Sequence, residues 1–316
     1  MVGANTSKRF LPWLLAIYIA NRTRRRSVGT GSADPTQDLA PAFDLESDRA
    51  LRAAANREEA SMLDKRIIVT GSTYGIGASV VRALVEAGAT VASMARSTDL
   101  GEQQSKVLAA SGPGTIRFYR CDVSVRSEVN EAFAAAVADM SGLDALVHVA
   151  AVEGGGRPEE ETDDEWDRAF AINAKGTFVV NQEAFPYLKT DGGCILNFGA
   201  GAGLNGLSSN AVYSASKGAV AAWTRSVAAA WGQYGIAVNC ICPAVWSPMY
   251  DEHRARLTPE QLERHDARMA EMIHIGGKLG DADRDLAPMI VFLCSDGARY
   301  ITGQTICIDG GALKVR

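Results

Sequence analysis

The sequence lacks the residue patterns that usually mark a metal site. Its 316 residues include six cysteines and only four histidines. No two cysteines form a CxxC pair, and no histidine follows a cysteine at the spacing of zinc ligands. We therefore expect no metal site, and we expect the cysteines to be reduced side chains buried in a cytoplasmic protein.

An excess of positive charge is also missing. The chain has 32 lysines and arginines against 37 aspartates and glutamates, which gives a formal net charge of −5 at pH 7. Nucleic acids attract proteins mainly through their phosphates, so an acidic protein is poorly suited to bind them. We therefore expect no nucleic-acid partner.

Long apolar runs are missing as well, although a helix that crosses a bilayer needs about 20 apolar residues in succession. A shorter run, Phe10 to Ala20, has basic residues on both sides within residues 8–26. Apolar and basic groups together suit a lipid surface, so this segment could make peripheral contact with a membrane. The favoured interpretation of residues 1–60 is a flexible N-terminal extension, followed by one domain over residues 61–316.

From Lys65 onward, apolar runs typical of buried strands alternate with segments typical of helices. The expected strands are Ile67–Val69, Thr90–Met94, Ile116–Tyr119, Ala145–Val149, Cys194–Phe198, Val238–Ile241 and Thr305–Ile308. Strands and helices that alternate at this spacing form βαβ units, which build parallel sheets. The sequence therefore predicts an α/β fold with a single Rossmann-type, doubly wound parallel sheet of about seven strands and helices on both faces.

A glycine-rich turn directly follows the first strand and opens the first helix. It reads Thr-Gly-Ser-Thr-Tyr-Gly-Ile-Gly from Thr70 to Gly77. Gly71 permits a tight turn, Gly75 lets the backbone approach an anion, and Gly77 allows the helix to pack closely on the strand. The N-terminus of the helix presents free N–H groups to such an anion. Because strand, turn and helix occur in this order, the segment predicts a binding site for a dinucleotide.

The glycine spacing resembles that of the short-chain dehydrogenase/reductase family, and the resemblance extends over residues 62–316. Further matches are Asp122-Val123, Asn173, the YxxxK pair Tyr213 and Lys217, Val238-Asn239 through Pro243, Thr302-Gly303 and Asp309-Gly310-Gly311. The resemblance implies an oxidoreductase that transfers hydride between a nicotinamide cofactor and a carbonyl/alcohol pair on a small molecule. It assigns these residues to the cofactor: Gly71, Ser72, Tyr74, Gly75, Ile76, Gly77, Arg96, Ser97, Asp122, Val123, Ala150, Tyr213, Lys217, Pro243 and Ser247.

The end of the second strand bears on the choice between NAD and NADP. A carboxylate there would bind the ribose hydroxyls of NAD and repel a 2′-phosphate. Ala95 occupies this place and Arg96 follows, and a guanidinium can pair with a phosphate. Ser72 and Ser97 could add hydroxyl donors. The arrangement resembles the NADP-preferring branch of the family and predicts NADP(H), with a solvated strand-end arginine as the alternative.

The predicted reaction centre contains Tyr213 and Lys217, which are four residues apart and so share one helix face. A nearby ammonium group and a cationic nicotinamide should both lower the pKa of the tyrosine from its usual value of about 10. By resemblance to the family, Tyr213 exchanges a proton with the carbonyl or alcohol. Lys217 also holds the nicotinamide ribose, and Asn173 holds a water that relays protons to Lys217.

The sequence departs from the family pattern at the reaction centre. The family's serine, usually thirteen residues before the tyrosine, is Ala200 here, and a methyl group cannot donate a hydrogen bond. Three explanations remain open. The alanine replaces a native serine, other groups orient the substrate, or the scaffold serves a non-redox isomerase, a cyclase or a nucleotide-binding sensor. His148 also replaces an asparagine, and a buried, hydrogen-bonded histidine is the favoured interpretation.

Residues 247–280 should cover the substrate, because they separate the last two strands at the ligand-binding edge of the sheet. The predicted substrate contacts are Val152, Trp246, Met249 and Tyr250. Methionine and aromatic side chains here favour a small, apolar substrate, although packing of the covering segment alone explains them equally well. His253 and His265 are expected to be solvated.

The assembly expected from the family resemblance is a homodimer or homotetramer. Its subunits should pair through the predicted helices Glu165–Leu188 and Tyr213–Trp231.

Overall fold

A computed structural model describes residues 62–154 and 156–313 of the chain. The predicted extension over residues 1–60, including the basic and apolar segment 8–26, lies outside the described residues, as do the side chains of Met249 and His253. The boundary between extension and domain therefore stays a prediction. Among the described residues, no helix is both long enough and apolar enough to cross a membrane.

One parallel sheet forms the centre of the described structure, with its strands in the order β3-β2-β1-β4-β5-β6-β7. The strands are β1 Arg66–Thr70, β2 Thr90–Ala95, β3 Thr115–Arg120, β4 Ala145–His148, β5 Gly193–Phe198, β6 Ile236–Pro243 and β7 Thr305–Ile308. The strand order reverses between β1 and β4, which is the point where ligands bind in doubly wound sheets. The predicted seven-stranded α/β fold is confirmed.

Ten α-helices surround the sheet within the described ranges. They are α1 Gly75–Glu86, α2 Thr98–Leu108, α3 Arg126–Met140, α4 Asp163–Ala169, α5 Gly176–Leu188, α6 Ala202–Asn205, α7 Ala211–Trp231, α8 Pro248–Ala255, α9 Pro259–Met272 and α10 Ala287–Leu293. The side chains of β1 show how both faces are covered. Ile67 and Val69 pack in a core with α1 and α10, whereas Ile68 packs in a second core with α3 and α5. This alternation follows from the two-residue period of a strand.

The helix predicted over Glu165–Leu188 is interrupted by a π-helical turn. Helix α4 ends at Ala169, the turn covers Phe170–Lys175, and α5 begins at Gly176. A π-turn places one extra residue in the helical ladder and is often found at functional sites. The spacing of apolar residues in the sequence does not reveal the single extra residue of a π-turn. It also does not reveal the four-residue helix α6, which was not predicted.

A buried polar cluster ties the centre of the sheet to two helices. Asn197 on β5 and Asn181 on α5 exchange amide hydrogen bonds of 2.8 and 2.9 Å. The Asn197 amide also donates to Thr224 on α7 at 3.1 Å, and Trp223 donates to Asn181 at 3.0 Å. Both asparagines are fully buried, so water cannot reach their amide groups and these bonds alone satisfy them.

Replacing Asn197 with alanine should therefore destabilise the protein by about 2–3 kcal/mol, since the Asn181 amide nitrogen loses its acceptor and the Asn181 oxygen keeps only the bond from Trp223. The measurement is the midpoint of urea unfolding, read with an unchanged slope. Asn205→Ala is the matched control, because Asn205 is exposed, and should shift stability by less than about 0.5 kcal/mol. Equal midpoints for the two variants would show that the cluster does not stabilise the sheet.

Candidate active site

The glycine-rich turn packs against the end of β4 so closely that side chains are excluded. A Cβ atom added to Gly71 would lie 2.6 Å from the Ala150 backbone, and one added to Gly77 would lie 2.0 Å from the Gly71 carbonyl oxygen. Gly71 and Gly75 also have positive φ angles, +65° and +53°. The turn therefore leads the chain directly to the N-terminus of α1, where the first N–H groups have no partner within the helix. This arrangement can hold the pyrophosphate of a dinucleotide.

The end of β2 places Arg96 and Ser97 at the same edge of the sheet. Both residues are exposed, and the Ser97 side chain makes no hydrogen bond to the start of α2. Ser72 has a different environment. It is fully buried, and its hydroxyl donates to the Met94 carbonyl at 3.0 Å and lies 2.7 Å from the Ser93 hydroxyl. The Ser72 hydroxyl thus joins the turn to β2 in the cofactor-free protein, and its suggested role as a donor to the cofactor stays a prediction.

Asp122 and Val123 follow β3 at the neighbouring position of the edge. The Asp122 carboxylate accepts hydrogen bonds from the Ser124 N–H and hydroxyl at 2.9 and 2.6 Å. Partial burial raises the pKa of Asp122, but these two bonds and the charge of Arg96 outweigh it, and the pKa stays below its usual value. The carboxylate is therefore ionised and fixed at neutral pH.

Tyr213 and Lys217 lie one turn apart on α7. The Lys217 ammonium is 5.8 Å from the centre of the Tyr213 ring and donates to the Phe198 carbonyl at 2.7 Å. Burial lowers the pKa of Lys217 to about 8. Burial also raises the pKa of Tyr213, and the charges of Glu153 and Cys242 act in the same direction. In the protein without cofactor the pKa of Tyr213 is therefore raised, because burial disfavours the phenolate. The predicted lowering depends on the cationic nicotinamide as well as on Lys217, and it stays a prediction for the cofactor-bound site.

Asn173 lies in the π-turn and joins the loop after β4 to α7. Its side chain accepts from the Val152 N–H at 2.8 Å and donates to the Val152 carbonyl at 2.9 Å and to the Ser216 hydroxyl at 3.0 Å. The Ser216 hydroxyl donates in turn to the Tyr213 carbonyl at 2.8 Å. Asn173 thus positions the predicted substrate residue Val152 relative to Tyr213, while its role in holding a water beside Lys217 stays a prediction.

Ala200 follows β5, two residues beyond the carbonyl that receives the Lys217 hydrogen bond. It brings a methyl group where a hydroxyl is expected. Ser208 and Ser209, the nearest hydroxyls before Tyr213, are exposed side chains in the turn that precedes α7. The structure therefore keeps the position of the usual serine and lacks its donor.

His148 is buried at the end of β4, and its Nδ1 lies 2.7 Å from the Thr70 hydroxyl. Burial, with a smaller effect of the Lys217 charge, lowers its pKa to about 3, so the imidazole is neutral at physiological pH. The interpretation of His148 as a buried, hydrogen-bonded side chain is confirmed.

The covering segment carries a cluster that is more polar than predicted. Trp246 and Tyr250 pack edge to face at 4.9 Å, and the Arg254 guanidinium lies 5.2 Å from the first ring and 5.7 Å from the second. The Tyr250 hydroxyl lies 2.6 Å from His265 Nε2, and Arg254 also pairs with Asp266. The expectation that His265 is merely solvated is wrong, because α8 and α9 bring the two side chains together across fifteen positions of sequence.

All six cysteines are free, and five of them are buried. No group of three or more histidine, cysteine or acidic side chains that could hold a metal ion occurs within the described ranges. Cys240 and Cys242 point to one face of β6 and contact Val220 and Ala221 of α7. Sequence reasoning missed Glu153, although its place directly after Val152 was a usable signal.

Comparisons with known proteins agree with this geometry. The family model described as enoyl-(acyl carrier protein) reductase matches residues 71–312. The 2-(S)-hydroxypropyl-CoM dehydrogenase 3 of Xanthobacter autotrophicus is 31% identical over 79% of this chain and 96% of its own length. The L-fucose dehydrogenase of Bos taurus is 32% identical over 78% of this chain and 89% of its own length.

The fold also matches solved structures. The L-sorbose reductase of Gluconobacter frateurii, complexed with NADPH and L-sorbose, gives a TM-score of 0.75 at 21% identity, covering 82% of this chain and 100% of that chain. The chain belongs to the short-chain dehydrogenase/reductase family. It is therefore an oxidoreductase with a nicotinamide cofactor and a small-molecule substrate.

Removing the buried amine should stabilise the cofactor-free protein at pH 7. The unfolded lysine keeps its proton up to about pH 10.5, whereas folded Lys217 loses it near pH 8. Between these values the unfolded state binds more protons, so wild-type stability rises with pH. At pH 7 the shift corresponds to about 3 kcal/mol, and the lost bond to Phe198 offsets about 1 kcal/mol of it. Lys217→Met should therefore be about 2 kcal/mol more stable than the wild type at pH 7.

Urea unfolding at pH 7, 8.5 and 10 measures this difference, which should shrink as the pH rises. Lys189→Met is the control, since Lys189 is exposed at the end of α5 and should show no such trend. A Lys217→Met variant whose difference from wild type does not change with pH would contradict the buried, perturbed amine.

Proposed function

We propose that the protein is an NADP(H)-dependent oxidoreductase that interconverts a carbonyl and an alcohol on a small molecule with an apolar body. The observation that carries the proposal is the placement of Tyr213 and Lys217 beside the end of β5, at the sheet edge that also bears the glycine-rich turn. In this proposal the glycine-rich turn binds the pyrophosphate, Lys217 holds the nicotinamide ribose and Tyr213 donates the proton. The raised pKa of Tyr213 keeps the phenol protonated in the cofactor-free protein, as a proton donor to a carbonyl requires.

The proton and the hydride have separate sources in this proposal. The bound nicotinamide supplies the hydride. Tyr213 donates its phenolic proton to the carbonyl oxygen as negative charge develops there. The Lys217 ammonium, held against the Phe198 carbonyl, then stabilises the phenolate in a site with little water. Asn173 holds the Val152 loop in place relative to the backbone of Tyr213.

NADP(H) is favoured over NAD(H) by the side chains at the end of β2. Ala95 supplies no carboxylate to repel a 2′-phosphate, and the exposed guanidinium of Arg96 can pair with one. The solved L-sorbose reductase complex contains NADPH, which agrees with this choice. The residues proposed to hold the cofactor are Gly71, Tyr74, Gly75, Ile76, Gly77, Arg96, Ser97, Asp122, Val123, Ala150, Tyr213, Lys217, Pro243 and Ser247, with Ser72 bracing the turn.

Arg96→Ala should weaken NADPH binding by about 10- to 100-fold and leave NADH binding within about twofold, because only NADPH carries the paired phosphate. Titration calorimetry with both cofactors, at low and high salt, measures the effect. Arg299→Ala removes another exposed arginine and serves as the control. Equal losses for NADPH and NADH would mean that Arg96 does not read the 2′-phosphate.

The second candidate is a non-redox isomerase, cyclase or nucleotide-binding sensor. Ala200 alone favours it, whereas the relatives named as dehydrogenases do not. The two candidates differ in what restoring a hydroxyl should do. In a reductase, Ala200→Ser adds a donor to the carbonyl oxygen and should raise kcat for ketone reduction about tenfold or more. Loss of NADPH absorbance with a ketone panel measures it, and Ala230→Ser, at an exposed position on α7, should change nothing. Tight NADPH binding with no ketone turnover in either form would favour the second candidate.

We further propose a homodimer or homotetramer in the cytoplasm, paired through α4–α5 and α7. Trp166 supports this assembly, since it is 46% exposed on α4 although its ring stacks on Phe170 at 4.3 Å. A partner helix would cover that indole. Contact of residues 8–26 with a membrane surface stays a prediction from their sequence.

A further inference from the structure

Glu153 lies in the loop after β4, next to Val152, and its carboxylate has no hydrogen-bond or ion-pair partner among the described residues. It directly follows Val152, whose N–H and carbonyl are both held by Asn173. The Glu153 carbonyl accepts a bond of 3.3 Å from Arg168, so its backbone is fixed from a second side. Its side chain is exposed and makes no hydrogen bond or ion pair with the residues that the structure describes. The carboxylate is therefore available to a ligand.

The position of Glu153 is coupled to that of Tyr213. Asn173 connects the Val152 backbone to the Ser216 hydroxyl, and Ser216 donates to the Tyr213 carbonyl. Residue 153 thus lies one peptide unit from a hydrogen-bonded path that ends on the main-chain carbonyl of Tyr213. The negative charge of Glu153 adds to burial in raising the pKa of Tyr213, which agrees with this proximity.

A second acceptor occurs one turn before Tyr213. Asn210 directly precedes α7, and its side chain makes no hydrogen bond that caps the helix. Asn210 is only 9% exposed, and its Oδ1 has no hydrogen-bond partner within the described part of the chain. A buried acceptor without a partner costs free energy unless a ligand supplies a donor.

The polar groups on the segments next to Tyr213 therefore show an imbalance. Ala200 removes the hydroxyl donor, whereas Glu153 and Asn210 add acceptors without donors of their own. Such a lining matches a substrate that brings hydrogen-bond donors with it. A bound substrate without such donors would cover the exposed carboxylate of Glu153 and give it no hydrogen bond in place of water, which is unfavourable.

We propose that Glu153 selects, for the reaction proposed above, substrates that carry a hydrogen-bond donor on the carbon next to the reacting carbonyl. The donor is either a hydroxyl or a protonated amine, since both can form a charge-assisted bond with a carboxylate. The inference rests on the proposed function for its reaction and on the Glu153–Asn173–Tyr213 geometry for its specificity. It narrows the expected substrate to an apolar body with one polar group beside the carbonyl.

The test compares propiophenone, α-hydroxyacetophenone and α-aminoacetophenone as substrates of the full-length protein with NADPH. The first two have nearly the same shape and differ in the donor. The wild type should prefer α-hydroxyacetophenone to propiophenone at least tenfold in kcat/KM. Glu153→Leu should reduce that preference at least fivefold, chiefly through KM, while Glu159→Gln, an exposed neighbour on the same loop, leaves it unchanged.

Glu153→Gln separates the two kinds of donor. An amide oxygen still accepts from a hydroxyl but has no charge, so this variant should lose at least tenfold in kcat/KM with α-aminoacetophenone and much less with α-hydroxyacetophenone. It should also shift the pH profile of kcat to lower pH, because a negative charge near the Tyr213 phenolate is removed. A purely structural role of Glu153 would not produce this shift.

Failure of the inference can be told apart from failure of the proposed function. Turnover of all three ketones with no preference, or a preference that survives Glu153→Leu, would overturn the role of Glu153 and leave the reductase intact. Absence of turnover with every ketone would overturn the reductase. In that case, calorimetric titration of the ketones into the NADPH-loaded protein tests whether Glu153 selects ligands that carry a donor. Donor-dependent binding that Glu153→Leu abolishes supports its role, and binding independent of the donor or of Glu153 overturns it.

Discussion

The contact between the turn after β1 and the end of β4 is the constraint on which the site depends. Gly71 and Ala150 approach so closely that no Cβ fits between them, and this is the point where the strand order reverses. The contact sets the distance between the anion-binding end of α1 and the loop that carries Val152 and Glu153. Any side chain at Gly71 would separate the two halves of the sheet edge, so a methyl group there would damage cofactor binding and substrate orientation together.

A second constraint is that Lys217 and Tyr213, two titratable side chains, are buried next to each other. Lys217 is enclosed at the end of β5, and burial makes its charged form costly, while the same burial favours the neutral form of Tyr213. The cofactor-free site is thus strained electrostatically. Binding of a dinucleotide places polar groups against both side chains and can relieve that strain. Stability and function therefore oppose each other at this position, as expected for a preorganised centre.

The fold could be predicted from local sequence because strands covered on both faces are continuous apolar runs, and glycines mark the one turn that must be tight. Tyr213, Lys217 and Asn173 were predicted as site residues because their motifs resemble those of the short-chain dehydrogenase/reductase family. Features that depend on tertiary packing could not be predicted. The burial of the Ser72 hydroxyl, the π-turn around Asn173 and the contact of Tyr250 with His265 each arise where segments distant in sequence meet.

The departures from the family pattern make chemical sense when they are considered together. Loss of a donor at Ala200 alone would weaken any carbonyl reductase, since the developing oxyanion would keep only the tyrosine. A substrate with its own donor beside the carbonyl changes this balance, because an internal hydrogen bond or a contact to Glu153 can orient the carbonyl without a protein hydroxyl. Under the proposal, Glu153 orients the carbonyl of the substrate through the substrate's own donor, so that no hydroxyl is needed at position 200. Tyr213 still donates the proton. Restoring the serine hydroxyl and removing the carboxylate therefore act on separate steps, the first on the transition state and the second on substrate choice.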